Sequence, residues 1–387
     1  MKRVCIITGT RAEYGLLKPL IEKVFRDQEL ELQLIVTGMH LSPEFGLTYR
    51  QIEEDGYPIA QKVDILLSND TGVAVSKTMA LGMISFAETY ERLNPDIVVL
   101  LGDRYEIFAA ASAAMINRVP IAHIHGGELT QGMVDEAIRH SITKMSYLHF
   151  TSTEAYRRRV IQLGEEPHRV FNVGALGIEN IKTMQLLEKR ELEKSIGFSF
   201  DKEVAMVTYH PVTLEVNTAE NQFRALLNVL DTFKDMKFIF TKANSDVGGR
   251  IINQMIDAYV NQNEDRAIAF VSMGQLRYLS SVKYSSVVIG NSSSGIIEAP
   301  SLGVPTVNIG DRQKGRICAD SVIHCSESED SIRKAIECTR SISFKERLKE
   351  IVNPYEKISV SEEILYQLKR YLFDHTATLK KQFYDLQ

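Results

Sequence analysis

Short apolar runs alternate with segments of helical period along almost the whole chain. In the first half, strands are predicted at residues 4–7, 32–36, 97–101, 120–124, 147–150 and 170–173, with helices at about 13–26, 73–93, 105–117, 134–144 and 153–163. In the second half, strands are predicted at residues 204–208, 238–241, 267–271, 287–289 and 306–309, with helices near 219–232, 249–260, 275–280 and 331–339. This alternation is typical of α/β folds in which helices cover both faces of a parallel sheet.

The same pattern predicts two doubly wound, Rossmann-like domains. The 387 residues suffice for two separate cores. We place the first domain at 1–178, the second at 179–360, and at 361–387 a helical tail that packs back on the first domain. The charged segment 182–194 is expected to contain the connection. Two such sheets side by side would direct their carboxyl ends to a central cleft, where ligands bind in these folds.

Composition and charge exclude several classes of protein. The hydrophobic fraction of 44% and the charged fraction of 25% are those of an ordinary soluble protein. A net charge of -5 argues against a broad nucleic-acid-binding surface. The apolar residues 4–7 are too few for a signal peptide, and the longest apolar run, 107–116, is too short to cross a membrane. The four cysteines lack a paired CxxC spacing, so we expect reduced thiols in a cytoplasmic protein.

Residues 290–316, GNSSSGIIEAPSLGVPTVNIGDRQKGR, predict a phosphate site. They follow the apolar run 286–289 and begin with a short helical pattern. Hydroxyls, glycines and free N–H groups at a helix N-terminus favour an anion. The candidates there are Ser292, Ser293, Ser294 and Gly295, and a second apolar run delivers Asp311, Arg312, Gln313, Lys314 and Arg316 to the same edge. Glu298, seven residues after Asn291, would suit a pair of hydroxyls such as those of a ribose.

Two other strand ends carry arginines and a carboxylate. Arg11 lies in the segment TGTRAE after the first strand, which is neither GxGxxG nor a P-loop and could be only a tight turn. The several N–H donors of its guanidinium favour the binding of an anionic group. Asp103 and Arg104 follow the strand 97–101. Asp103 could simply cap a helix, but beside an arginine at a strand end it is a candidate catalytic carboxylate, with Arg104 as an anion contact.

The segment HIHGGE at 123–128 supplies further ionisable groups. His123 and His125, spaced i,i+2, would face the same way on a strand, but no third ligand at a recognised spacing accompanies them, so we predict no metal. Asp135 and Arg139 could form only a surface pair. Asp103, Glu128 and Asp135 together would instead provide the carboxylates needed for general acid–base chemistry on a carbon acid.

His210 follows the first strand of the second domain, in the segment TYHPVT. A lone loop histidine commonly has only a structural role. At a strand end opposite a phosphate site it would donate to a departing diphosphate.

Seven ordered segments resemble the UDP-N-acetylglucosamine 2-epimerases, and most closely the bacterial hydrolysing type of sialic acid biosynthesis. They are TGTRAEYG (8–15), VTGMH (36–40), LGDRYEIF (101–108), HIHGGE (123–128), RHSITKMS (139–146), NSSSG (291–295) and NIGDRQKGR (308–316). The resemblance implies a two-domain GT-B-like fold, a UDP-sugar substrate, no cofactor, and a homodimer or homotetramer. It also implies UDP contacts by Arg11, Arg104, His210, Ser292, Ser293 and Arg312, with Glu298 on the ribose, and catalytic roles for Asp103 and Asp135.

The position of His125 departs from part of the family. Non-hydrolysing members and the animal enzyme carry a glutamate there, so either His125 itself or Glu128 takes the task of general base in this chain. The implied reaction is anti elimination of UDP from UDP-N-acetylglucosamine to a 2-acetamidoglycal, followed by hydration to N-acetylmannosamine. Arg11, His210 and the Ser292–Ser293 helix end would stabilise the leaving diphosphate.

Other activities remain open at this level. A close variant would act on UDP-2,4-diacetamido-2,4,6-trideoxyglucose for legionaminic acid. A non-hydrolysing epimerase is less favoured, because its Gly-Thr-Arg-Pro-Glu segment is replaced here by GTRAE. A GT-B glycosyltransferase would share the UDP site but need an acceptor, and a nucleotide-sugar sensor would not need the carboxylates.

Overall fold

The computed structural model describes residues 1–67, 71–215, 218–244, 248–374 and 378–386. The chain divides into two compact units, the first formed by Met1–Glu128, Asp135–Asn180 and Lys357–Gln387, the second by Leu129–Val134 and Ile181–Glu356. The short segment Leu129–Val134 thus belongs with the second unit, although it lies well inside the first domain drawn from the sequence.

The first unit is built around a seven-stranded parallel sheet. Its strands are β1 (Lys2–Thr8), β2 (Leu30–Thr37), β3 (Ile59–Val63), β4 (Ile97–Leu101), β5 (Ile121–Ile124), β6 (Leu148–Thr151) and β7 (Val170–Asn172). Their order across the sheet is β3-β2-β1-β4-β5-β6-β7. The winding therefore reverses between β1 and β4, which pair in parallel.

Helices cover both faces of this sheet. They are α1 (Arg11–Arg26), α2 (Tyr49–Glu54), α3 (Gly72–Leu93), α4 (Tyr105–Ile116), α5 (Asp135–Met145), α6 (Glu154–Gln162) and α7 (Leu176–Thr183). One apolar core includes residues of α1 and the inner side chains of β1, β2 and β4. A second core, on alternate residues of the same strands, includes residues of α3, α4 and α5. The alternation of strand side chains between two faces produces these two cores.

A C-terminal helix completes the first unit. It is α15 (Val360–Leu372). Val360, Ile364, Leu368 and Leu372 belong to the core that includes α1, and their spacing places them on one helix face. Ser361 Oγ also donates to Glu179 Oε1 at 2.7 Å.

The second unit repeats the architecture with six parallel strands, β8 (Glu203–Thr208), β9 (Met236–Thr241), β10 (Ala267–Phe270), β11 (Val287–Gly290), β12 (Thr306–Ile309) and β13 (Val322–Cys325). Their order is β10-β9-β8-β11-β12-β13, so the winding reverses between β8 and β11. The helices are α8 (Lys189–Ile196), α9 (Ala219–Leu230), α10 (Gly249–Gln262), α11 (Gly274–Tyr284), α12 (Ser293–Ile297), α13 (Glu329–Arg340) and α14 (Ile342–Arg347). Short 3₁₀ turns lie at Gly38–Leu41, Pro43–Phe45, Pro167–Arg169, Ala299–Leu302 and Leu348–Glu350.

The predicted α/β architecture with two parallel sheets is confirmed. The strands β3 and β13 were missed, and segment 182–194 lies just past the division between the units instead of containing it; its second half enters α8. Within the described ranges, no helix combines the length and apolar composition needed to cross a membrane.

Candidate active site

The predicted residues of the first unit follow three neighbouring strands at one edge of its sheet. Arg11 begins α1 after β1, Asp103 and Arg104 follow β4, and His125 and Glu128 follow β5. β1, β4 and β5 are adjacent in the sheet. Ligands of doubly wound sheets bind at the carboxyl edge where the winding reverses, so this edge is the candidate catalytic site.

Arg139, on α5, connects three segments of this edge. Its side chain is 1% exposed. Nη2 donates to the Asp103 carboxylate, and Nη1 donates to Glu136 Oε2 (3.0 Å) and to the carbonyl oxygen of Glu128 (2.8 Å). The alternative of a mere surface pair does not hold for Arg139, because its guanidinium lies inside the unit. Asp135, the first residue of α5, is partly exposed.

His123 holds the loop that carries Asp103. Its Nε2 lies 2.8 Å from the carbonyl oxygen of Gly102, which can only accept, so Nε2 carries the proton. Nδ1 lies 3.2 Å from the hydroxyl of Thr143. Burial lowers the pKa of His123 to about 3, so the ring is neutral at physiological pH. A neutral ring in this tautomer bonds β5 to the turn after β4.

The turn after β5 brings the two candidate bases together. His125 lies beyond the end of β5 with a φ of +66°, so the expectation that it shares a strand face with His123 is wrong. Ser152 Oγ donates to Glu128 Oε1 at 2.8 Å, and His125 Nδ1 lies 3.7 Å from the same oxygen. Gly127 permits this turn, because a Cβ there would lie 2.6 Å from the carbonyl oxygen of Tyr156. The positive φ of His125 is strained for a residue other than glycine, and such strain is concentrated at functional sites.

Arg104 is paired with carboxylates of its own unit. Its Nε donates to Glu106 Oε2 at 3.1 Å and Nη2 donates to Glu106 Oε1 at 3.2 Å, a bidentate arrangement. Glu13 Oε1 lies 3.9 Å from Nε, and Glu13 Oε2 accepts from the Gly9 N–H at 2.7 Å. Burial raises the pKa of Glu13 to about 7, against the attraction of Arg104. Glu106 and Glu13 therefore compensate much of the positive charge of Arg104, the residue predicted to contact an anion.

In the second unit, Asn291 connects the predicted nucleotide-binding segments. Its Oδ1 accepts from the His210 N–H at 2.7 Å and its Nδ2 donates to the His210 carbonyl oxygen at 2.8 Å. Its own carbonyl oxygen accepts from Arg312 Nη1 (3.0 Å) and Gln313 Nε2 (2.8 Å). The buried Asn291 thereby ties the loops after β8, β11 and β12, which are adjacent strands at the winding reversal.

The position immediately before Asn291 requires a glycine. Gly290 has a φ of +134°, and a Cβ there would lie 1.9 Å from the carbonyl oxygen of Thr208. This close approach lets the chain turn from β11 into α12 while the Asn291 N–H donates to the same carbonyl oxygen at 3.1 Å.

The predicted helix after this turn has only five residues. Ser292 is its N-cap and accepts from the Ser294 N–H at 3.4 Å, while Ser293 and Ser294 are partly exposed. The N–H of Gly295 bonds back to Ser292, and the carbonyl oxygen of Gly295 accepts from Thr306 on β12. Glu298 is buried at the C-terminal end of the helix. Gly295 thus contributes to packing as well as to the turn.

The last predicted residue, Arg316, contacts the segment Leu129–Val134. Its Nε donates to the carbonyl oxygen of Leu129 at 3.3 Å, and the Gln131 N–H donates to the carbonyl oxygen of Lys314 at the same distance. These bonds explain why this short segment belongs to the second unit.

Sequence reasoning missed several residues that organise both groups. They are Glu13, Glu106, His123, Arg139 and Asn291. Each stood inside a quoted motif, so the motif signal was present. Glu13 and Glu106 bond to partners inside their own motifs, whereas His123, Arg139 and Asn291 bond to partners on other segments, which no single motif shows. In the part of the chain that the structure describes, no group of three His, Cys, Asp or Glu side chains is arranged to hold a metal ion.

Comparisons with known proteins identify the family of this chain. A family model described as UDP-N-acetylglucosamine 2-epimerase matches residues 22–369. The chain is 46% identical over 345 residues to a Campylobacter jejuni protein named GDP/UDP-N,N'-diacetylbacillosamine 2-epimerase (hydrolyzing), with 89% of each chain covered. It is 41% identical over 386 residues to polysialic acid biosynthesis protein P7 of Escherichia coli, covering 100% of this chain and 97% of the relative.

A solved structure supports the fold. The S. aureus MnaA-UDP co-structure matches with a TM-score of 0.80 and 20% sequence identity, covering 100% of both chains. The family match spans the segments around Asp103, Arg139 and Asn291. The chain therefore belongs to the UDP-N-acetylglucosamine 2-epimerase family, the epimerases of UDP-sugars.

Proposed function

We propose that this protein is a hydrolysing UDP-N-acetylglucosamine 2-epimerase that converts UDP-N-acetylglucosamine and water to N-acetylmannosamine and UDP. The observation that carries the proposal is the family membership over most of the chain, with Asp103, His125, Glu128 and Asp135 all at or next to one sheet edge. The hydrolysing outcome is supported by the Campylobacter jejuni relative, whose name includes it.

The first step is an elimination. A base removes the proton from C2 of the sugar, the C2–H electron pair forms the C1–C2 double bond, and the C1–O bond breaks to release UDP. His125 and Glu128 are the candidate bases, because their side chains lie together in a buried turn. Positive side chains stabilise the charge on the leaving diphosphate, and Arg11, His210 and Arg312 are the candidates for this task.

The second step is a hydration. Water adds its oxygen to C1 of the 2-acetamidoglycal, and C2 receives a proton on the face opposite to the one that lost it. This inversion yields N-acetylmannosamine. Because C2 loses and gains its proton on opposite faces of the sugar, the reaction needs two proton-transfer groups. Asp103 and Asp135 are available for this beside the His125–Glu128 pair.

The remaining predicted residues would bind the nucleotide. Asn291 holds the backbone of His210 and the side chains of Arg312 and Gln313, so these loops are ordered before the ligand binds. The candidate phosphate and ribose contacts are Ser292, Ser293, Ser294, Gly295, Glu298 and Arg316. Arg104 would act through its pair with Glu106, which reduces its net charge.

A second substrate is favoured by one observation. The relative with 46% identity is named for N,N'-diacetylbacillosamine, the 2,4-diacetamido-2,4,6-trideoxy sugar. That sugar carries an acetamido group at C4 and a methyl group at C6, far from the C1–C2 bond at which the chemistry occurs. The same proton-transfer groups would serve both substrates.

The test is to incubate the purified protein with each UDP-sugar in deuterated water and to follow the products by NMR. We expect free UDP together with N-acetylmannosamine deuterated at C2, and faster turnover of UDP-N-acetylglucosamine than of the diacetamido sugar. Faster turnover of the diacetamido sugar would select the second candidate. UDP release without C2 deuterium, or UDP that stays attached to an epimerised sugar, would contradict the hydrolysing epimerase.

A further inference from the structure

Residues 129–134, which we call the strap, belong with the second unit, although the chain on both sides of them belongs with the first. Glu128 is the last residue before the strap and Asp135 is the first residue after it. The chain therefore changes unit at two of the candidate proton-transfer carboxylates themselves.

One end of the strap is bonded to the loop after β12. The carbonyl oxygen of Leu129 accepts from Arg316 Nε at 3.3 Å, and the Gln131 N–H donates to the carbonyl oxygen of Lys314 at 3.3 Å. Gly315 has a φ of +89°, and a Cβ there would lie 2.9 Å from Leu129 Cδ1. The loop thus lies directly against the side chain of Leu129.

The other end of the strap is bonded to the loop after β8. Thr213 Oγ1 accepts from the Val134 N–H at 3.0 Å and lies 3.6 Å from the sulfur of Met133, whose side chain is buried. The carbonyl oxygen of Gly132 accepts from the Leu214 N–H at 3.3 Å. The strap is therefore bonded to both loops along its whole length.

These two loops carry proposed nucleotide contacts. His210 lies in the loop after β8, and Arg312 and Gln313 lie in the loop after β12. Asn291 is bonded to all three residues. A nucleotide that orders these loops would order the strap with them.

No unbonded residue separates the strap from the chemistry. Leu129 and Val134, its first and last residues, are themselves bonded to the second unit and are joined by peptide bonds to Glu128 and Asp135. A displacement of either loop must therefore displace one of these carboxylates, or the bonds must break. A shift of about 1 Å in a catalytic group can cost about 100-fold in rate.

We propose that the strap couples nucleotide binding at the loops after β8 and β12 to the placement of Glu128 and Asp135. The proposal rests on the proposed function, because it takes UDP to bind at these loops. Thr213 and Gly132 are then positioning residues, which act through the strap and do not touch the substrate. The carboxylates reach their working positions when the nucleotide part of the substrate is bound.

Thr213→Val tests the bond at the end of the strap next to Asp135. The substitution keeps the shape but removes the acceptor of the Val134 N–H, so kcat should fall by about fivefold, the effect of one hydrogen bond. UDP affinity, measured by calorimetry, should stay within about twofold. Thr213→Ser retains the hydroxyl and should restore most of the activity. Thr339→Val is the matched control, because it removes a hydroxyl bond within α13.

Hydrogen exchange with and without UDP separates coupling from a merely structural role. In the native protein and in Thr213→Ser, UDP should slow exchange at residues 126–128 and 135–139 as well as at 290–316. In Thr213→Val, protection of 290–316 should remain, while protection of 126–128 and 135–139 should be reduced.

Gly132→Ala tests the middle of the strap. Its Cβ would lie 2.9 Å from Val212 Cγ1, so the strap should shift and kcat should fall by at least about tenfold. Val212→Ala removes that atom, and the double variant should regain part of the lost activity. Gly72→Ala is the control, since a Cβ there meets no atom within 4 Å.

The outcomes distinguish this proposal from the proposed function. A native protein that does not bind UDP would overturn both. If the native protein binds UDP, but Thr213→Val and Gly132→Ala keep native kcat and native protection, the coupling alone would be overturned. A loss of UDP affinity as large as the loss of kcat in Thr213→Val would also overturn it, because Thr213 would then act in nucleotide binding.

Discussion

The carboxylate of Asp103 accepts a hydrogen bond from the buried guanidinium of Arg139. This bond joins the loop after β4 to α5, and the same guanidinium also binds the carbonyl oxygen of Glu128 in the turn after β5. The position of Asp103 therefore depends on a residue more than thirty positions away in the chain. Removal of one partner from a buried pair leaves the other charge uncompensated, which is strongly destabilising.

Arg139→Lys should lower kcat by at least about 100-fold, because one ammonium cannot reproduce the fork that reaches Asp103, Glu136 and the Glu128 carbonyl oxygen. UDP affinity, measured by calorimetry, should stay within about tenfold of the native value. Circular dichroism checks that the variant is folded. A folded variant with native kcat would show that Arg139 does not position Asp103.

Asp103→Asn tests the carboxylate itself. The amide cannot take a proton, so turnover should be lost while UDP affinity changes by less than about tenfold, or 1.4 kcal/mol. Glu136→Gln is the control, since Glu136 is the other carboxylate bonded to Arg139. If Asp103→Asn abolished UDP binding, Asp103 would have a structural role instead.

His123→Leu should reduce kcat by at least about tenfold with little change in UDP affinity, because the bond to the Gly102 carbonyl oxygen is lost. His123→Gln can restore a donor near the Nε2 position and should recover part of the activity. Since burial keeps the pKa of His123 near 3, the pH profile of His123→Gln between pH 6 and 8 should match the native profile. A profile that loses an ionisation there would assign proton transfer to His123.

Asn291→Asp should weaken UDP binding by at least about tenfold. The substitution keeps the acceptor for the His210 N–H but replaces the donor to the His210 carbonyl oxygen by a second acceptor. Asn253→Asp is a matched control, since Asn253 makes the same pair of bonds to Ala243. Equal losses of UDP affinity in both variants would indicate a general destabilisation of the second unit.

Glu13→Gln should change how stability depends on pH. A carboxyl whose folded pKa is raised from 4.5 to about 7 stabilises the fold fully below pH 4.5, and this contribution is lost as the pH rises through 7. The loss corresponds to about 3 kcal/mol at 1.36 kcal/mol per pKa unit. The urea midpoint of the native protein should therefore fall more between pH 5 and 8 than that of Glu13→Gln. Glu22→Gln on the same helix should behave like the native protein, and equal slopes for all three would contradict the prediction.

The sequence predicted most strands and failed at two sheet edges. β3 and β13 are the outermost strands of their sheets, and their residues are mainly half-buried. An edge strand has neighbours on one side only, so IAQKV and VIHC lack the long apolar run by which a central strand such as IVVLL is recognised. The short helix α8 was missed for a similar reason, because only Leu192 and Ile196 mark its buried side.

Many of the predicted site residues follow strand ends, as their motifs predicted, and their roles stay predictions. Motifs identify residue types at strand ends. They do not show that Arg104 is paired with Glu106, or that the Arg139 guanidinium is inside the unit.

The sequence by itself determined the alternation of strands and helices, the family, and the side chains available for chemistry, because each depends on local periodicity or on short ordered motifs. Only the tertiary structure decided which of these side chains bond to each other and where the chain divides. Bonds such as Asp103–Arg139 and His210–Asn291 join segments distant in sequence. Their formation depends on strand order and burial, which no local pattern specifies.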